Sequence, residues 1–329
     1  MADKQTIIDT LDGVEDPAGG GSILSTGRLL APRVTGPAVT AVLNLEGLST
    51  PQQSSLRDRI ESALKAVPGI EEVRLVLTAE RRRRQMIAVA SGKGGVGKST
   101  VAANLAVALA AAGRGVGLID ADIHGPSVPT LFGTLGERIR MEGGKLQPIQ
   151  AHGVRTVSIG HMLDPAQAIA WRGSMVGRAL KQLIDDTDWA DADTLILDLP
   201  PGTGDIQLSL VEKHRPDGAV IVSTPQDLAL IDARRAIDLF RQTNVPIIGI
   251  VENMSGYVCP SCGEVSEPFG RGGAEETCAA LDVPFLGRIP LDIAVRTASD
   301  EGRPIAAAPG PEGAAFRLLA QAVIGYIGD

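Results

Sequence analysis

Short apolar runs recur along the last three quarters of the chain and alternate with longer segments that mix polar and apolar residues. Mostly apolar runs of this length are typical of strands that are buried on both faces of a parallel sheet. The segments between them predict crossover helices, which cover both faces of such a sheet. An α/β fold with a mostly parallel sheet is therefore predicted. The predicted strands are residues 86–90, 115–119, 156–159, 194–197, 219–223, 247–251 and 285–289.

The first 80 residues show a different pattern, which predicts a separate small α+β domain. In the longer of its two predicted helices, Leu56, Ile60, Leu64 and Val67 recur at helical spacing and form one apolar face. The predicted elements are helices over residues 5–14 and 51–67 and strands over residues 38–45 and 73–77.

Four consecutive arginines, Arg81 to Arg84, mark the boundary between the two patterns. A run of like charges at such a place is typical of a solvated linker. We therefore predict a small α+β domain at residues 1–80, a basic linker at residues 81–85 and a larger domain at residues 86–329.

Composition and charge narrow the classes of function. The chain has 329 residues, is 44% hydrophobic and carries a net charge of −8. A negative chain is not expected to offer a broad nucleic-acid-binding face, which is basic. No apolar stretch reaches the roughly 18 residues of a membrane span, and residues 1–4 do not begin a signal peptide. Few cysteines without disulfide spacing favour a reducing cytoplasm, so we expect a cytoplasmic protein that binds neither membrane nor nucleic acid.

The most specific motif is Gly-Lys-Gly-Gly-Val-Gly-Lys-Ser at residues 92–99. A strand is predicted before it and a helix over residues 99–112 after it, which is the context that a phosphate-binding loop requires. Its backbone N–H groups turn toward the phosphates, Lys98 reaches the β and γ oxygens, and the Ser99 hydroxyl takes a Mg²⁺ position. We therefore predict that the protein binds a nucleoside triphosphate with Mg²⁺. The contacting residues are Gly92, Gly94, Gly95, Val96, Gly97, Lys98, Ser99 and Thr100.

Two further strands of the series end in aspartates. Asp120 and Asp122 follow the second strand, and Asp198 follows the fourth. Because open α/β sheets bind ligands at the carboxyl ends of their strands, these side chains are expected near the phosphates. We assign Asp122 to orienting the attacking water, Asp120 to the Mg²⁺ or switch region, and Asp198 to holding Mg²⁺ through water. In the turn that follows Asp198, the Gly202 amide is a candidate sensor of the γ-phosphate.

A second kind of chemistry is indicated by Cys259 and Cys262 in a Cys-Pro-Ser-Cys-Gly turn. Two such thiolates can bind one soft metal centre together, but iron-sulfur clusters and structural zinc usually need four ligands. The third cysteine, Cys278, lies in a helix predicted over residues 272–281 and is expected to be a buried apolar residue. Two copies of the pair on a two-fold axis supply four thiolates. The spacing alone leaves iron-sulfur and zinc open, with a redox pair less favoured.

Lys93, beside the first glycine, makes the loop similar to the deviant Walker A loop of the MinD, ParA, ArsA and nitrogenase iron-protein class. This resemblance implies a P-loop NTPase fold, a homodimer and a Lys93 that reaches the nucleotide of the partner subunit, where it acts with Lys98 and Asp122 in hydrolysis. It also implies that Asn253 reads adenine and that Pro290 belongs to the base pocket. ATP is favoured over GTP because no Asn-Lys-x-Asp guanine signature follows the strand at residues 247–251.

Further motifs together resemble the Mrp/ApbC family of iron-sulfur cluster carrier ATPases, over about residues 86–329. The family implies a 4Fe-4S cluster bound at the homodimer interface by Cys259 and Cys262, transfer of that cluster to apoproteins, and ATP hydrolysis. The implied partners are recipient apo iron-sulfur proteins and cluster donors. The motifs are those at residues 92–99, 120–127, 171–173, 198–205 and 252–255, followed by the two cysteines.

The N-terminal region resembles the small iron-sulfur-assembly domain that is often fused before such ATPases. Asp16-Pro17 before a glycine-rich turn and Ser49-Thr50-Pro51 carry the resemblance. A cysteine that is often found near that Thr-Pro is replaced here by Gln52 and Gln53, so we do not expect this domain to ligate a cluster directly. It is expected to bind partners or to act as a regulatory appendage.

Two alternative functions remain open from the sequence. One is a positioning ATPase of the ParA/MinD type, although residues 314–329 carry a single basic residue, which disfavours a lipid-binding helix. The other is a regulatory ATPase whose dimer is stapled by zinc. The metal content of the protein separates this second alternative from a cluster carrier.

Overall fold

The computed structural model describes residues 4–45, 48, 50–78, 84–123, 125–162, 173–190 and 192–328. Ser49, residues 81–83, His124, Trp171 and Arg172, which belong to the motifs above, lie outside the described residues. The chain folds as two compact units, Met1–Arg83 and Arg84–Asp329.

The N-terminal unit packs two helices against one face of a small sheet with the strand order β1, β2, β3. The pair β1 and β2 is antiparallel, and β2 and β3 are parallel. Along β2 the buried positions alternate, because Val39, Ala41 and Leu43 face the helices. The predicted apolar face of the second helix is also buried in this core. The elements are α1 (Lys4–Asp12), β1 (Leu29–Thr35), β2 (Ala38–Asn44), α2 (Thr50–Lys65) and β3 (Glu72–Thr78).

Two features of this unit were not predicted. Strand β1 contains Pro32, which argues against a strand, and it is accommodated because β1 lies at the sheet edge with an irregular register between Leu30 and Arg33. Asp16 is buried, and its carboxylate pairs with Arg28 at 2.6 Å and accepts a hydrogen bond from the Ala18 N–H. The Asp-Pro motif therefore closes a turn in this structure.

The boundary of the second unit differs from the predicted linker of residues 81–85. Gln85 is the first residue of strand β4 (Gln85–Ala90). Arg84 donates hydrogen bonds to the backbone oxygens of Ala192 and Ala190 at 3.0 and 3.2 Å. Both residues therefore belong to the second unit rather than to a linker, because backbone pairing and side-chain bonds begin there.

The second unit is built on a large sheet that runs β13, β12, β11, β4, β10, β5, β9, β8, with β14 also paired to β12. The inner pairs of this sheet are parallel, as predicted. The remaining strands are β5 (Val116–Asp120), β6 (Arg140–Glu142), β7 (Lys145–Gln147), β8 (Ile149–Ala151), β9 (Val154–Ser158), β10 (Thr194–Asp198), β11 (Gly218–Ser223), β12 (Ile247–Val258), β13 (Val265–Ser266) and β14 (Phe285–Leu291).

Helices cover both faces of this sheet and form two cores. On β4, Ile87 and Val89 face a core with α3 and α10, whereas Ala88 and Ala90 face the core of α5 to α8. The predicted α/β class is thereby confirmed. The helices are α3 (Lys98–Ala111), α4 (Val128–Leu131), α5 (Gly173–Asp185), α6 (Asp205–His214), α7 (Asp227–Gln242), α8 (Gly273–Leu281), α9 (Ile293–Asp300) and α10 (Ala314–Ile327), with 3₁₀ turns at Ile159–His161, Ile305–Ala307 and Pro311–Gly313.

Strand β12 is much longer than the predicted run of residues 247–251. It continues through the polar segment that contains Asn253 and ends at Val258, directly before Cys259. Pairing with β14 and then β13 holds the extension in place, although Met254 (φ 58°) and Gly256 (φ 73°) interrupt its regular geometry. The predicted strand was too short because β13 and β14, which pair with the extension, follow it later in the sequence.

A buried histidine generates a pH prediction for this unit. His161 is 1% exposed, and its Nε2 lies 2.9 Å from Thr134 Oγ1. Burial, followed by the charge of Arg138, lowers its pKa to about 4. Since the neutral form is favoured in the folded state, its contribution is complete above the unfolded pKa of about 6.5 and is lost as the pH falls toward about 4.

Because of His161, we expect the free energy of unfolding to fall by roughly 2 kcal/mol when the pH is lowered from about 7 to about 5. His161→Gln should reduce the difference between these two pH values by that amount. Urea unfolding followed by tryptophan fluorescence measures it, because both tryptophans belong to the second unit. An unchanged pH dependence in the variant contradicts the assignment, whatever the overall loss of stability.

Candidate functional site: a phosphate-binding loop and a cysteine hairpin

The loop between β4 and α3 has the geometry of a phosphate cradle. Gly95 and Gly97 have φ angles of 81° and 79°, a left-handed conformation that glycine adopts without steric cost. Ser91 Oγ donates a hydrogen bond to the Lys93 oxygen at 2.8 Å and fixes the start of the loop. Successive N–H groups at the start of a helix attract phosphate, so this loop can bind the triphosphate of a nucleotide.

Two glycines of the loop permit close approach of other elements. A Cβ at Gly92 would overlap the backbone of Asp232 in α7. A Cβ at Gly97 would overlap the side-chain amide of Asn253, which donates a hydrogen bond to the Val96 oxygen at 2.8 Å. Asn253 thus contacts the loop itself, and strand β12 is attached to the phosphate site.

Lys98 and Asp198 form a buried ion pair at the centre of the site. The Lys98 ammonium lies 2.5 Å from Asp198 Oδ1 and 3.2 Å from Ser99 Oγ, and both charged side chains are nearly inaccessible to solvent. Asp198 Oδ2 is buried without a hydrogen-bond partner among the described residues. A buried carboxylate oxygen beside a serine hydroxyl fits the donors that Mg²⁺ prefers.

Asp120 stands next to Asp198 because their strands pair in register. It accepts hydrogen bonds from the Asp122 and Val128 N–H groups at 3.1 Å and from Ser158 Oγ at 2.9 Å. Burial, followed by the Asp198 charge, raises the pKa of Asp120 to about 7. Burial also raises the pKa of Asp198, while the Lys98 charge opposes that rise. Several carboxylates therefore share one lysine, an arrangement that a divalent cation would stabilise.

The remaining predicted phosphate contacts are placed around this centre. Asp122 is close enough to raise the pKa of Asp198 by its charge, and it accepts the Gly125 N–H at 3.2 Å. Lys93 Nζ lies 3.5 Å from Gln226 Oε1. The Gly202 N–H donates to the Ser91 oxygen at 3.0 Å, so a role in sensing phosphate requires that this bond be exchanged. The catalytic roles of these residues stay predictions.

A cavity of about 630 Å³ adjoins the loop and contains both residues assigned to the base. Asn253 and Pro290 line it together with Gly97 and Thr100. Its volume lies within the range of sites for small ligands. Because the Asn253 amide nitrogen is bonded to Val96, its oxygen is the atom that remains to accept a hydrogen bond from a base.

Several residues of the site were missed by sequence reasoning. Ser158 ends β9 beside Asp120, so the rule that ligands lie at the carboxyl ends of strands could have found it. Gln226 lies at the start of α7, where no motif marks it. Asp292 and Arg296 also line the base cavity, and the signal for Asp292 is its place as the cap of α9, which accepts the Ala294 N–H at 2.7 Å.

Cys259 and Cys262 lie in the tight turn between β12 and β13. Tyr257 pairs with Ser266 and Val258 with Val265, and the Cys259 N–H donates to the Glu264 oxygen at 2.9 Å. Cys259 is half-buried and Cys262 is exposed. Hydrogen bonds from the backbone N–H groups of Cys262 and Ser261 lower the pKa of the Cys259 thiol, which favours the thiolate that binds metal.

The hairpin offers half of a metal site. Among the described residues, no group of three or more histidine, cysteine or acidic side chains is placed to hold a metal ion. Cys278 lies in α8 and is 3% exposed, and burial raises the pKa of its thiol to about 11. Its thiol lies 3.6 Å from the Pro284 oxygen. Cys278 has the character of an apolar core residue, as expected.

The sheet, the loop and the carboxylates define a P-loop NTPase with the fold of the MinD/ParA type. The model of the NUBPL iron-transfer P-loop NTPase family matches residues 82–324, and the chain belongs to this family. Residues 4–75 match the model of a second family, described as iron-sulfur cluster assembly protein. The resemblance predicted from the motifs is thereby confirmed.

Relatives that match this chain over nearly its whole length are named iron-sulfur cluster carrier proteins. The iron-sulfur cluster carrier protein of Deinococcus radiodurans is 42% identical over 98% of this chain and 95% of its own length. A protein of the same name from Synechocystis is 39% identical over 97% of this chain and 95% of its own length.

Solved structures support the fold. A nucleotide-binding protein from Archaeoglobus fulgidus in complex with ADP is 38% identical, with a TM-score of 0.63 over 70% of this chain and 91% of that chain. The Pyrococcus furiosus cell division ATPase MinD is 24% identical, with a TM-score of 0.55 over 74% of this chain and 99% of that chain, and shows the fold alone.

No helix in the described part of the chain combines the length and apolar character of a membrane span.

The contact between Gly97 and Asn253 yields a prediction. Gly95→Ala and Gly97→Ala both place a side chain at positive φ, which costs about 1 to 2 kcal/mol of unfolding free energy. Gly97→Ala also forces its Cβ onto the Asn253 amide, whereas a Cβ at Gly95 meets no described atom within 4 Å. We expect Gly97→Ala to lose about 1 to 3 kcal/mol more than Gly95→Ala.

Urea unfolding of the protein without nucleotide measures the two losses. Gly95→Ala is the matched control, since it shares the backbone strain but lacks the overlap. Equal losses in the two variants would show that Asn253 moves away at no cost.

Proposed function

We propose that this protein is an ATP-dependent carrier that holds a 4Fe-4S cluster between two copies of itself, hydrolyses ATP and passes the cluster to apoproteins. The observation that carries the proposal is that the thiol pair lies at the end of the same strand that contacts the phosphate-binding loop. The names of the relatives and the family description support the same activity.

The nucleotide half of the site accounts for ATP binding. When the nucleotide binds, Lys98 leaves Asp198 and contacts the β- and γ-phosphate oxygens. The lysine thus exchanges one anionic partner for another. Ser99 and Asp198 hold Mg²⁺, which neutralises charge on the phosphates when it is bound. Asn253 and Pro290 contact adenine in the adjoining cavity.

Hydrolysis follows from a lysine supplied by the partner copy. Lys93 lies at the edge of the loop, and among the described residues its ammonium makes only a long contact to Gln226 at 3.5 Å. It can therefore reach toward a second nucleotide and stabilise charge on the transferring phosphoryl group. Asp122 accepts a hydrogen bond from the attacking water and orients it, so that hydrolysis depends on dimer geometry.

The cluster half of the site is completed by symmetry. Two copies of Cys259 and Cys262 supply four thiolates around a two-fold axis, the number that a 4Fe-4S cluster requires. Val258 and Val265, which flank the turn, are 54% and 61% exposed. Burial of these valines between the copies would stabilise the dimer and keep water from the cluster.

The cluster is the cargo of this reaction. Cluster donors and recipient apo iron-sulfur proteins are its partners in the cytoplasm. The N-terminal domain contacts these partners rather than the cluster, because Gln52 and Gln53 occupy the positions where a cysteine would be needed. The proposed organisation is therefore a partner-binding domain, a linker and an ATP-dependent carrier domain.

Anaerobic reconstitution with iron and sulfide tests the cluster half. We expect broad visible absorption near ~400 nm and about four irons per dimer. Cys259→Ser should lose most of this iron, whereas the matched variant Cys278→Ser should retain it, because Cys278 is buried in the core. ATP binding should remain in both variants.

Metal analysis and solution mass decide between the outcomes. A colourless dimer with about one zinc identifies the regulatory, zinc-stapled alternative. Full iron content in Cys259→Ser would contradict the model of a cluster at the dimer interface. Iron loss in Cys278→Ser alone would identify Cys278 as the ligand instead.

Mixing of two variants tests the lysine supplied in trans. Lys93→Ala keeps its own Lys98, and Lys98→Ala keeps a Lys93 that can serve its partner, so each variant alone should be nearly inactive in ATP hydrolysis. A mixed dimer has one complete site. An equimolar mixture should therefore recover roughly a quarter of the wild-type rate, since half of the dimers are mixed and each has one of two sites.

Steady-state phosphate release at matched total protein measures this recovery. The double variant Lys93→Ala/Lys98→Ala mixed with wild type is the control for dilution. No recovery in the mixture, with dimers formed in solution, shows that Lys93 acts within its own chain.

A further inference from the structure

A second cavity lies between helices α5 and α6, apart from the nucleotide cavity. Its volume is about 460 Å³, and it shares no lining residue with the cavity that contains Asn253. Leu180, Ile206 and Leu210 form its apolar part, and Leu180 and Leu210 belong to the buried core. A preformed apolar cleft of this size is typical of small-ligand sites.

A glycine lines this cleft. Gly177 lies in the interior of α5, where glycine costs about 1 kcal/mol relative to alanine. A Cβ built at this position meets no described atom within 4 Å, so packing does not require glycine there. Gly177 is itself one of the residues that line the cleft.

Positive charge lines the cleft of a chain whose net charge is −8. Among the described residues, Arg178, Lys181 and Lys213 line it, against the single carboxylate of Asp205. Lys181 is paired with Asp185 at 4.0 Å, whereas Arg178 and Lys213 form no ion pair with any described residue. Two cations beside an apolar floor are therefore available to an anion.

His214 adds a buried polar atom without a partner. Its side chain is 7% exposed, and its Nδ1 lies 3.7 Å from Asp185 Oδ1. Its Nε2 is buried and has no hydrogen-bond partner in the part of the chain that the structure describes. Buried polar atoms are rarely left unpaired, and His214 is among the residues that line the cleft, so a ligand bound there would supply the missing partner.

We propose that this cleft binds a small organic anion with an apolar body. Its carboxylate is held by Arg178 and Lys213 and accepts a hydrogen bond from His214 Nε2, and its apolar body lies on Ile206 and Leu210 beside Gly177. The site is an effector or substrate site in addition to the nucleotide and cluster sites, and it does not rest on the proposed function.

Octanoate and 1-octanol are the probes, because they share an eight-carbon chain and differ in the anion. Isothermal titration calorimetry of the full chain should show one octanoate per chain and about tenfold weaker binding of octanol. Equal binding of the two probes, or no saturable octanoate binding, overturns the proposal.

Variants assign that binding to the cleft. Gly177→Leu places a bulky side chain at the lining of the cleft, where a Cβ meets no described atom within 4 Å, and should weaken octanoate binding about tenfold, whereas Gly177→Ala should leave the affinity within about twofold. Lys213→Gln should weaken it about three- to fivefold. Lys65→Gln, which removes an exposed charge from the N-terminal unit, should not. Unchanged binding in Gly177→Leu, or an equal loss in Lys65→Gln, places the octanoate elsewhere and overturns the proposal.

Discussion

The buried pair of Lys98 and Asp198 is the contact on which the nucleotide site depends. Both side chains are nearly inaccessible, and the desolvation of two such charges is costly unless each has a close partner. Asp120 stands in register beside Asp198, so one lysine is shared by neighbouring carboxylates. The protein's own side chains neutralise the charges of this centre only in part. A triphosphate with its cation brings both the anion that Lys98 needs and the cation that the carboxylates need.

The parallel sheet explains why these groups meet. Strands β4, β5, β9 and β10 end at one edge and deliver the loop, Asp120, Ser158 and Asp198 to the same place. Glycines then allow elements on other faces to approach the loop more closely than a side chain would permit. At Gly97 the neighbour is the Asn253 side-chain amide, so this side chain of β12 packs directly against the backbone of the loop.

Sequence patterns predicted the parts of this fold that are locally encoded. The strand, loop and helix around Gly97 lie within one stretch of chain, and their glycines and lysines carry the chemistry directly. The extension of β12 beyond Val251 was missed because it is stabilised by strands far away in sequence. The places of Asp292 and Arg296 in the cavity beside the loop were missed for the same reason, since that cavity is assembled from distant segments. The cleft beside Gly177 gave no signal, because an open space leaves no mark in one helix alone.

The continuity of strand β12 constrains how the residues beside the phosphate-binding loop and the cysteine pair can change in evolution. Asn253 and Cys259 are six positions apart, a span of at most about 20 Å in extended chain. No loop intervenes, so the nucleotide contact and the thiol pair cannot be exchanged as separate modules by insertion at a flexible joint. A deletion of one residue between them would shift the register in which the end of β12 pairs with β13. Asn253 and the two cysteines are thus held at a fixed spacing along one strand, and the hairpin can change its length only beyond the cysteines.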